Sequence, residues 1–172
     1  VALMLISPEL VLVFGSPKYR EAVYVIPPVA ASVFFIFIYN ILSMPQFYYE
    51  KTQFLMAASM AAAGANVVLN FIFIRLFGYI AAGYTTLACY ILYSVGHYVV
   101  SKRILVNEGI QENLMNPGFL VACSVFLIGA SIICNLIFPY RILRYAILLA
   151  SAGLVFWKRE LLLNTMADIR KK

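Results

Sequence analysis

Residues 52–74 read TQFLMAASMAAAGANVVLNFIFI, a run of 23 residues without a charged side chain. As an α-helix, with a rise of about 1.5 Å per residue, this run is long enough to cross about 30 Å of hydrocarbon. Similar uncharged runs occupy residues 22–49, 79–101 and 118–138, and the charged side chains gather between the runs. The pattern predicts an all-α, polytopic membrane protein whose helices form a bundle.

The composition of the whole chain agrees with this class. Of its 172 residues, 64% are hydrophobic and 12% are charged, whereas a soluble domain carries about 25% charged residues. Disorder is excluded, because it requires low hydrophobicity and high charge. The net charge of +6 is typical of basic loops at a membrane surface, so we expect no nucleic-acid partner. The three cysteines lie singly in apolar runs and indicate neither a disulfide nor a metal site.

Charged clusters and helix breakers divide the chain into spans. We predict five full transmembrane helices over about residues 23–45, 53–74, 79–101, 118–138 and 143–158. Residues 1–14 are predicted to be the end of a sixth, preceding span followed by an interfacial turn, because Ser7, Pro8 and Glu9 interrupt the apolar run. Residues 15–157 then form a transmembrane lobe. The last span is short, so we expect Arg144 to extend towards water.

The ends of the chain carry two further expectations. An apolar start at Val1 without an initiator methionine predicts that an N-terminal part of the protein precedes this chain. Residues 158–172 form a basic tail. If successive loops alternate sides, eight Lys and Arg residues share the side of the C-terminus and five lie opposite. The positive-inside rule therefore predicts a multi-pass protein of the cell membrane with a cytoplasmic C-terminus.

Two asparagines in the second span are the first candidate site residues. Asn66 and Asn70 are four residues apart and therefore share one face of the helix. One interpretation is a hydrogen-bond clamp between helices, which is a common use of amides in lipid. The other interpretation makes both amides partners for a hydroxylated ligand in a cavity.

A second stripe of polar residues follows in the third span, where Thr86, Tyr90, Tyr93 and His97 recur at steps of four, three and four. Hydroxyl groups alternating with rings suit a sugar, because rings stack on its apolar face. The other interpretation places the tyrosines at the membrane interface and has His97 extend to water at the cytoplasmic edge. For Tyr90 the sugar-binding and interfacial interpretations are equally favoured. For His97 the interfacial interpretation is favoured. Arg75 is either a surface anchor or a diphosphate contact at headgroup level.

The spans contain no charged side chain near their middle. Intramembrane acids usually carry proton or sodium coupling, so we expect no coupling acid in this stretch. The chain also has no Walker A motif, no Ser-His-Asp arrangement and no paired carboxylates. We therefore predict a protein that is not an enzyme and uses no cofactor or metal.

Three stretches together carry a resemblance to a known family. They are Ser7-Pro8-Glu9-Leu10 continuing through Phe14-Gly15 to Tyr19-Arg20-Glu21-Ala22, then Tyr48-Tyr49-Glu50-Lys51-Thr52, and then Asn66 and Leu69-Asn70 with the Phe77-Gly78-Tyr79-Ile80-Ala81-Ala82-Gly83-Tyr84-Thr85-Thr86 segment. This sequence resembles the C-terminal half of Wzx-type polysaccharide flippases, in the multidrug/oligosaccharidyl-lipid/polysaccharide exporter superfamily. The motifs cover residues 1–100, and residues 101–172 match in span pattern alone.

The resemblance implies one lobe of a two-lobed membrane transporter. Such a flippase would pass an undecaprenyl-diphosphate-linked oligosaccharide across the cytoplasmic membrane by alternating access, in the biosynthesis of O-antigen, capsule or exopolysaccharide. Its implied partners are membrane lipid, the lipid-linked oligosaccharide, an N-terminal lobe, and a polysaccharide polymerase or glycosyltransferases. Two alternatives stay open: a cation-coupled multidrug exporter of the same superfamily, and a non-transporting membrane scaffold that binds polysaccharide enzymes.

Overall fold

The computed structural model describes residues 2–110 and 115–157, and all the elements in these ranges are helical. They are α1 (Ala2–Phe14), a 3-10 helix (Pro17–Val25), α2 (Ile26–Tyr48), α3 (Thr52–Phe77), α4 (Ala81–Asn107), α5 (Pro117–Ile137) and α6 (Arg141–Trp157). The prediction of an all-α protein is confirmed. The predicted basic tail, residues 158–172, lies outside the described residues.

Three segments are long and apolar enough to cross a membrane, namely Tyr19–Tyr48, Thr52–Phe77 and Pro117–Ile137. These segments support the assignment to membrane proteins. α4 is equally long, but threonine, tyrosine, serine and histidine side chains lower its hydropathy. α6 has 17 residues, which is near the lower limit for a span. The number of five full spans therefore stays a prediction.

The first helix is continuous where the sequence predicts an interfacial turn. α1 runs through Ser7, Pro8 and Glu9 without interruption. Pro8 has no amide hydrogen and cannot donate to the carbonyl of Met4, four residues earlier. The Ser7 hydroxyl donates to that same carbonyl, with an Oγ–O distance of 2.8 Å. Because the serine replaces the missing donor, the helix continues to Phe14.

The fourth helix is longer than its predicted span. The predicted span ends at residue 101, but α4 continues to Asn107. Its last turns bury Ser101, Ile104 and Leu105 against the bundle. The helix ends before Gly109, whose φ of 79° suits a residue without a Cβ.

α2 is the central helix of the bundle and packs along α4 and against α5. A close approach at Gly83 brings α4 to the start of α2, since a Cβ there would lie 2.9 Å from the Pro28 side chain and 3.0 Å from the Val25 carbonyl oxygen. The main buried cluster joins α1, α2, α4 and α5 and includes Met4, Ala31, Phe35, Leu87, Cys134 and Phe138. α3 differs from these helices, because none of its residues is buried. It packs mainly against α4 as an outer wall.

Candidate functional site

A groove of about 450 Å³ lies between the outer wall α3 and helix α4, and α2 contributes to its floor. Its size is within the range of about 300–1,000 Å³ that small-molecule sites usually have. The groove exists because α3 presents the short side chains of Ala62 and Ala63 to this space. Its polar lining consists of Tyr39, Ser59, Asn66, Thr86, Tyr90 and Tyr93. None of the lining residues is charged, so a ligand here would meet hydroxyl groups, an amide and rings.

Three tyrosines form a connected aromatic floor. The rings of Tyr39 and Tyr90 are nearly parallel, with centroids 6.5 Å apart and an interplanar angle of 11°. The ring of Tyr93 lies 4.6 Å from that of Tyr39 at 58°. The Tyr93 hydroxyl also hydrogen-bonds Ser59 Oγ on α3 at 2.5 Å. The floor is therefore organised by contacts among three helices.

The two predicted asparagines have different environments. Asn70 Nδ2 donates to Asn66 Oδ1 at 2.9 Å within α3, and Asn70 Oδ1 accepts a hydrogen bond from the Thr85 hydroxyl of α4. Asn70 thus joins two helices, as the clamp interpretation describes. Asn66 lines the groove, and among the described residues its Nδ2 has no hydrogen-bond acceptor. The amide hydrogens of Asn66 are available to a ligand.

His97 does not lie at an exposed edge, and this interpretation of the sequence is wrong. Its side chain is 1% exposed, and its Nδ1 lies 2.8 Å from Gln46 Nε2 of α2. Gln46 Nε2 also donates to Ser101 Oγ at 3.0 Å. The Ser101 hydroxyl in turn donates to the Leu42 carbonyl of α2. The imidazole belongs to a buried polar cluster that ties α4 to α2.

Arg75 lies apart from the groove. It is in the last turn of α3, and its guanidinium carbon sits 3.9 Å from the centroid of the Phe71 ring. The structure does not bring it together with the other candidate residues, so the diphosphate contact stays a prediction.

Arg144 is buried, and the expectation that it extends to water is wrong. Its side chain is 3% exposed and pairs with the Glu9 carboxylate of α1. The Tyr145 hydroxyl donates to the same Glu9 oxygen at 2.6 Å. Because α1 brings a carboxylate to the first turn of α6, the arginine finds its counter-charge inside the protein.

Ser59 and Tyr39 also line the groove, and Gln46 contacts His97 in the buried cluster, although the sequence singled out none of the three. Ser59 precedes Asn66 by seven residues, two helical turns, so a search for further polar side chains on that face would find it. Tyr39 and Gln46 carry no such signal. They take these positions only because α2 and α4 pack along each other.

The described residues contain no group of three or more His, Cys, Asp or Glu side chains placed to hold a metal ion. Comparisons of the chain with family models, with curated proteins and with solved structures find no match.

Proposed function

We propose that this chain is the C-terminal lobe of a Wzx-type flippase, which moves an undecaprenyl-diphosphate-linked oligosaccharide across the cell membrane for polysaccharide biosynthesis. The observation that carries the proposal is the uncharged, aromatic groove between α3 and α4. The sequence resemblance to that family supports it independently.

The groove suits a neutral saccharide in three ways. The Tyr90, Thr86 and Ser59 hydroxyls both donate and accept hydrogen bonds, as sugar hydroxyl groups do. The amide hydrogens of Asn66 supply a further donor. The tyrosine rings offer faces to the C–H groups of a pyranose ring. A polar sugar must lose water to enter the bilayer, and these groups replace the hydrogen bonds that it loses.

The proposal includes five full spans in this chain. α4 spans the membrane although it is less apolar than its neighbours, because Thr86, Tyr90 and Tyr93 line the groove and His97 is buried. α6 spans as a short helix whose Arg144 is neutralised by Glu9. A second lobe would cover the open side of the groove, and rocking of the two lobes would expose it to each leaflet in turn. The C-terminus lies in the cytoplasm.

The multidrug-exporter alternative requires an acid that exchanges protons or cations. Within residues 2–110 and 115–157, Glu9 is the acid that lies inside an apolar helix, and its carboxylate already accepts hydrogen bonds from Arg144 and Tyr145. This pairing favours the uncharged saccharide groove over a coupling site in this lobe.

Deletion of the gene that encodes this chain tests the proposal. We expect loss of surface polysaccharide and accumulation of the lipid-linked oligosaccharide on the inner leaflet, both reversed by re-expression. Re-expression of Asn66→Ala or Tyr90→Ala should restore less than a third of the polysaccharide. Tyr48→Ala is the matched control, since Tyr48 is 80% exposed, its ring pairs with that of Tyr49, and it does not line the groove.

Normal surface polysaccharide in the deletion strain would contradict the proposal. Retained polysaccharide together with loss of dye efflux driven by a proton or sodium gradient would favour the multidrug exporter instead.

A further inference from the structure

His97 is the single histidine of the chain, and the hydrogen bonds around it determine which ring nitrogen carries its proton. The Ser101 hydroxyl has one hydrogen, which it donates to the Leu42 carbonyl. Ser101 Oγ therefore acts as the acceptor for Gln46 Nε2. This orients the Gln46 amide so that its NH₂ group also faces His97 Nδ1. Nδ1 must accept, so the proton of the neutral imidazole is on Nε2.

The Nε2–H group that results has no hydrogen-bond partner in the part of the chain that the structure describes, although it is buried. A buried donor without an acceptor is costly, by about 1–3 kcal/mol. Such groups are rare in folded proteins and call for a partner. Nδ1 already accepts a hydrogen bond from Gln46. An acceptor for Nε2–H must therefore approach the opposite side of the imidazole ring.

Two groove tyrosines pack against the imidazole ring. The Tyr93 ring lies 4.4 Å from His97 in an edge-to-face arrangement, and the Tyr39 ring lies 5.8 Å away. Both tyrosines line the groove between α3 and α4. Tyr93 is held over His97 by one contact across the groove, the hydrogen bond to Ser59. A ligand oxygen that displaces this hydrogen bond would open a path from the groove to Nε2.

We propose that His97 is a concealed ligand-binding residue, whose Nε2–H donates to an oxygen of the saccharide after Tyr93 has turned aside. This inference rests on the proposed function, because it assigns the groove a neutral oxygen-rich ligand. Gln46 and Ser101 are positioning residues, which keep the donor on Nε2. Tyr93 is the cover that separates the donor from the groove.

Nuclear magnetic resonance of the full chain tests the inference, with ¹⁵N-histidine incorporated and the protein in phosphatidylcholine nanodiscs. A single histidine gives one pair of ring signals, so tautomer and hydrogen bonding are read directly. We expect the Nε2–H tautomer without ligand, and a change in the Nε2–H signal when the neutral probe maltotriose is added. Saturation transfer from the protein to maltotriose reports binding independently of His97.

Two variants separate a binding role from a structural one. His97→Asn keeps an oxygen acceptor close to the position of Nδ1 and removes the Nε2–H donor, so we expect maltotriose binding weakened about five- to tenfold. Some thermal stability is lost as well, because the smaller amide leaves space and buries an NH₂ group. Ser94→Ala is the control. Ser94 also ties α4 to α2, through the Phe35 carbonyl at 3.0 Å, but it does not line the groove, so binding should not change.

The outcomes distinguish the two proposals. A proton on Nδ1, or full maltotriose binding by His97→Asn, overturns the inference and leaves the saccharide groove standing. Saturation transfer to maltotriose without any change in the His97 signals also overturns the inference and leaves the saccharide groove standing. Absence of maltotriose binding to the native chain counts against both.

Discussion

Single polar side chains decide how closely the helices of this bundle join. The Ser7 hydroxyl supplies the donor that Pro8 lacks and keeps α1 continuous. Gln46 joins two helices through one amide nitrogen that contacts both His97 and Ser101. In the hydrocarbon of a bilayer no water can replace a lost hydrogen-bond partner. A substitution that removes one partner therefore leaves the other polar atom unpaired.

Gln46 is expected to be the most sensitive of these positions. Gln46→Leu leaves His97 Nδ1 without its donor and Ser101 Oγ with only its hydrogen bond to the Leu42 carbonyl, which should lower the free energy of unfolding by about 1–3 kcal/mol. Reversible unfolding in mixed micelles measures the change. Gln53→Leu is the control, because Gln53 is exposed on α3, and it should change stability by less than about 0.5 kcal/mol. Equal effects at the two positions would show that the buried cluster contributes nothing.

Two helical glycines of α4 give a matched test of packing. Gly83→Ala would place a methyl group 2.9 Å from Pro28 and 3.0 Å from the Val25 carbonyl oxygen, so we expect a loss of about 1–3 kcal/mol. A Cβ at Gly96 meets no other atom within 4 Å, so Gly96→Ala should stabilise the helix by up to about 1 kcal/mol. Unfolding of both variants in the same micelles shows whether their changes in the free energy of unfolding have opposite signs, as we expect. A stable Gly83→Ala variant would mean that α2 and α4 are less closely packed than described.

At the scale of the element, α3 and α6 differ from the apolar helices around them in how they join the bundle. α3 has no buried residue and joins α4 through the Thr85–Asn70 and Tyr93–Ser59 hydrogen bonds. α6 is joined to α1 through the Glu9–Arg144 pair. Because lipid replaces apolar contacts readily but cannot replace hydrogen bonds, these few polar contacts contribute strongly to the attachment of α3 and α6 to the bundle.

The attachment of α6 should depend on charge pairing. Arg144→Ala leaves the Glu9 carboxylate without its cation and should cost about 2–4 kcal/mol, given that Arg144 is buried and Glu9 partly exposed. The double variant Glu9→Gln with Arg144→Met should lose less, because no uncompensated charge remains. Unfolding in micelles measures both variants. Arg141→Ala, at an exposed position of the same helix, serves as control, and an effect as large as that of Arg144→Ala would contradict a specific role of the pair.

At the scale of the whole molecule, two contacts define its opposite ends. Lys51, after α2, lies 3.4 Å from Glu108, after α4. Tyr79, before α4, donates to Glu21, before α2, at 2.9 Å. These contacts place alternate connections at the same end, as the charge count assumes. In the proposed transmembrane arrangement, each end faces one side of the membrane.

The proposed orientation predicts which end is accessible from outside the cell. In a background with Cys89, Cys123 and Cys134 replaced by alanine, a membrane-impermeant maleimide should label Tyr79→Cys but not Glu108→Cys in intact cells. Both should be labelled after the membrane is opened. The reverse pattern would place the C-terminus outside, and labelling of both in intact cells would contradict the membrane-spanning arrangement.

The candidate site was predictable in part. The stripe of Thr86, Tyr90 and Tyr93 and the face of Asn66 follow from helical spacing within one element, and the structure puts all four on the groove. Tyr39 and Gln46 could not be predicted, because their roles depend on which faces of α2 and α4 meet. The burial of His97 was missed for the same reason, because its position along the chain does not reveal which helix covers it.

The sequence by itself determined the all-helical class and the apolar segments 52–74 and 118–138 to within a few residues, since uncharged length and breakers act locally along the chain. Tertiary structure alone decided the pairing of Glu9 with Arg144, the burial of His97 and the opening between α3 and α4. Each of these depends on contacts between residues far apart in sequence, such as positions 9 and 144 or 46 and 97. Helical periodicity predicts which side chains share one face of a helix. Only tertiary packing determines which neighbouring helix contacts that face.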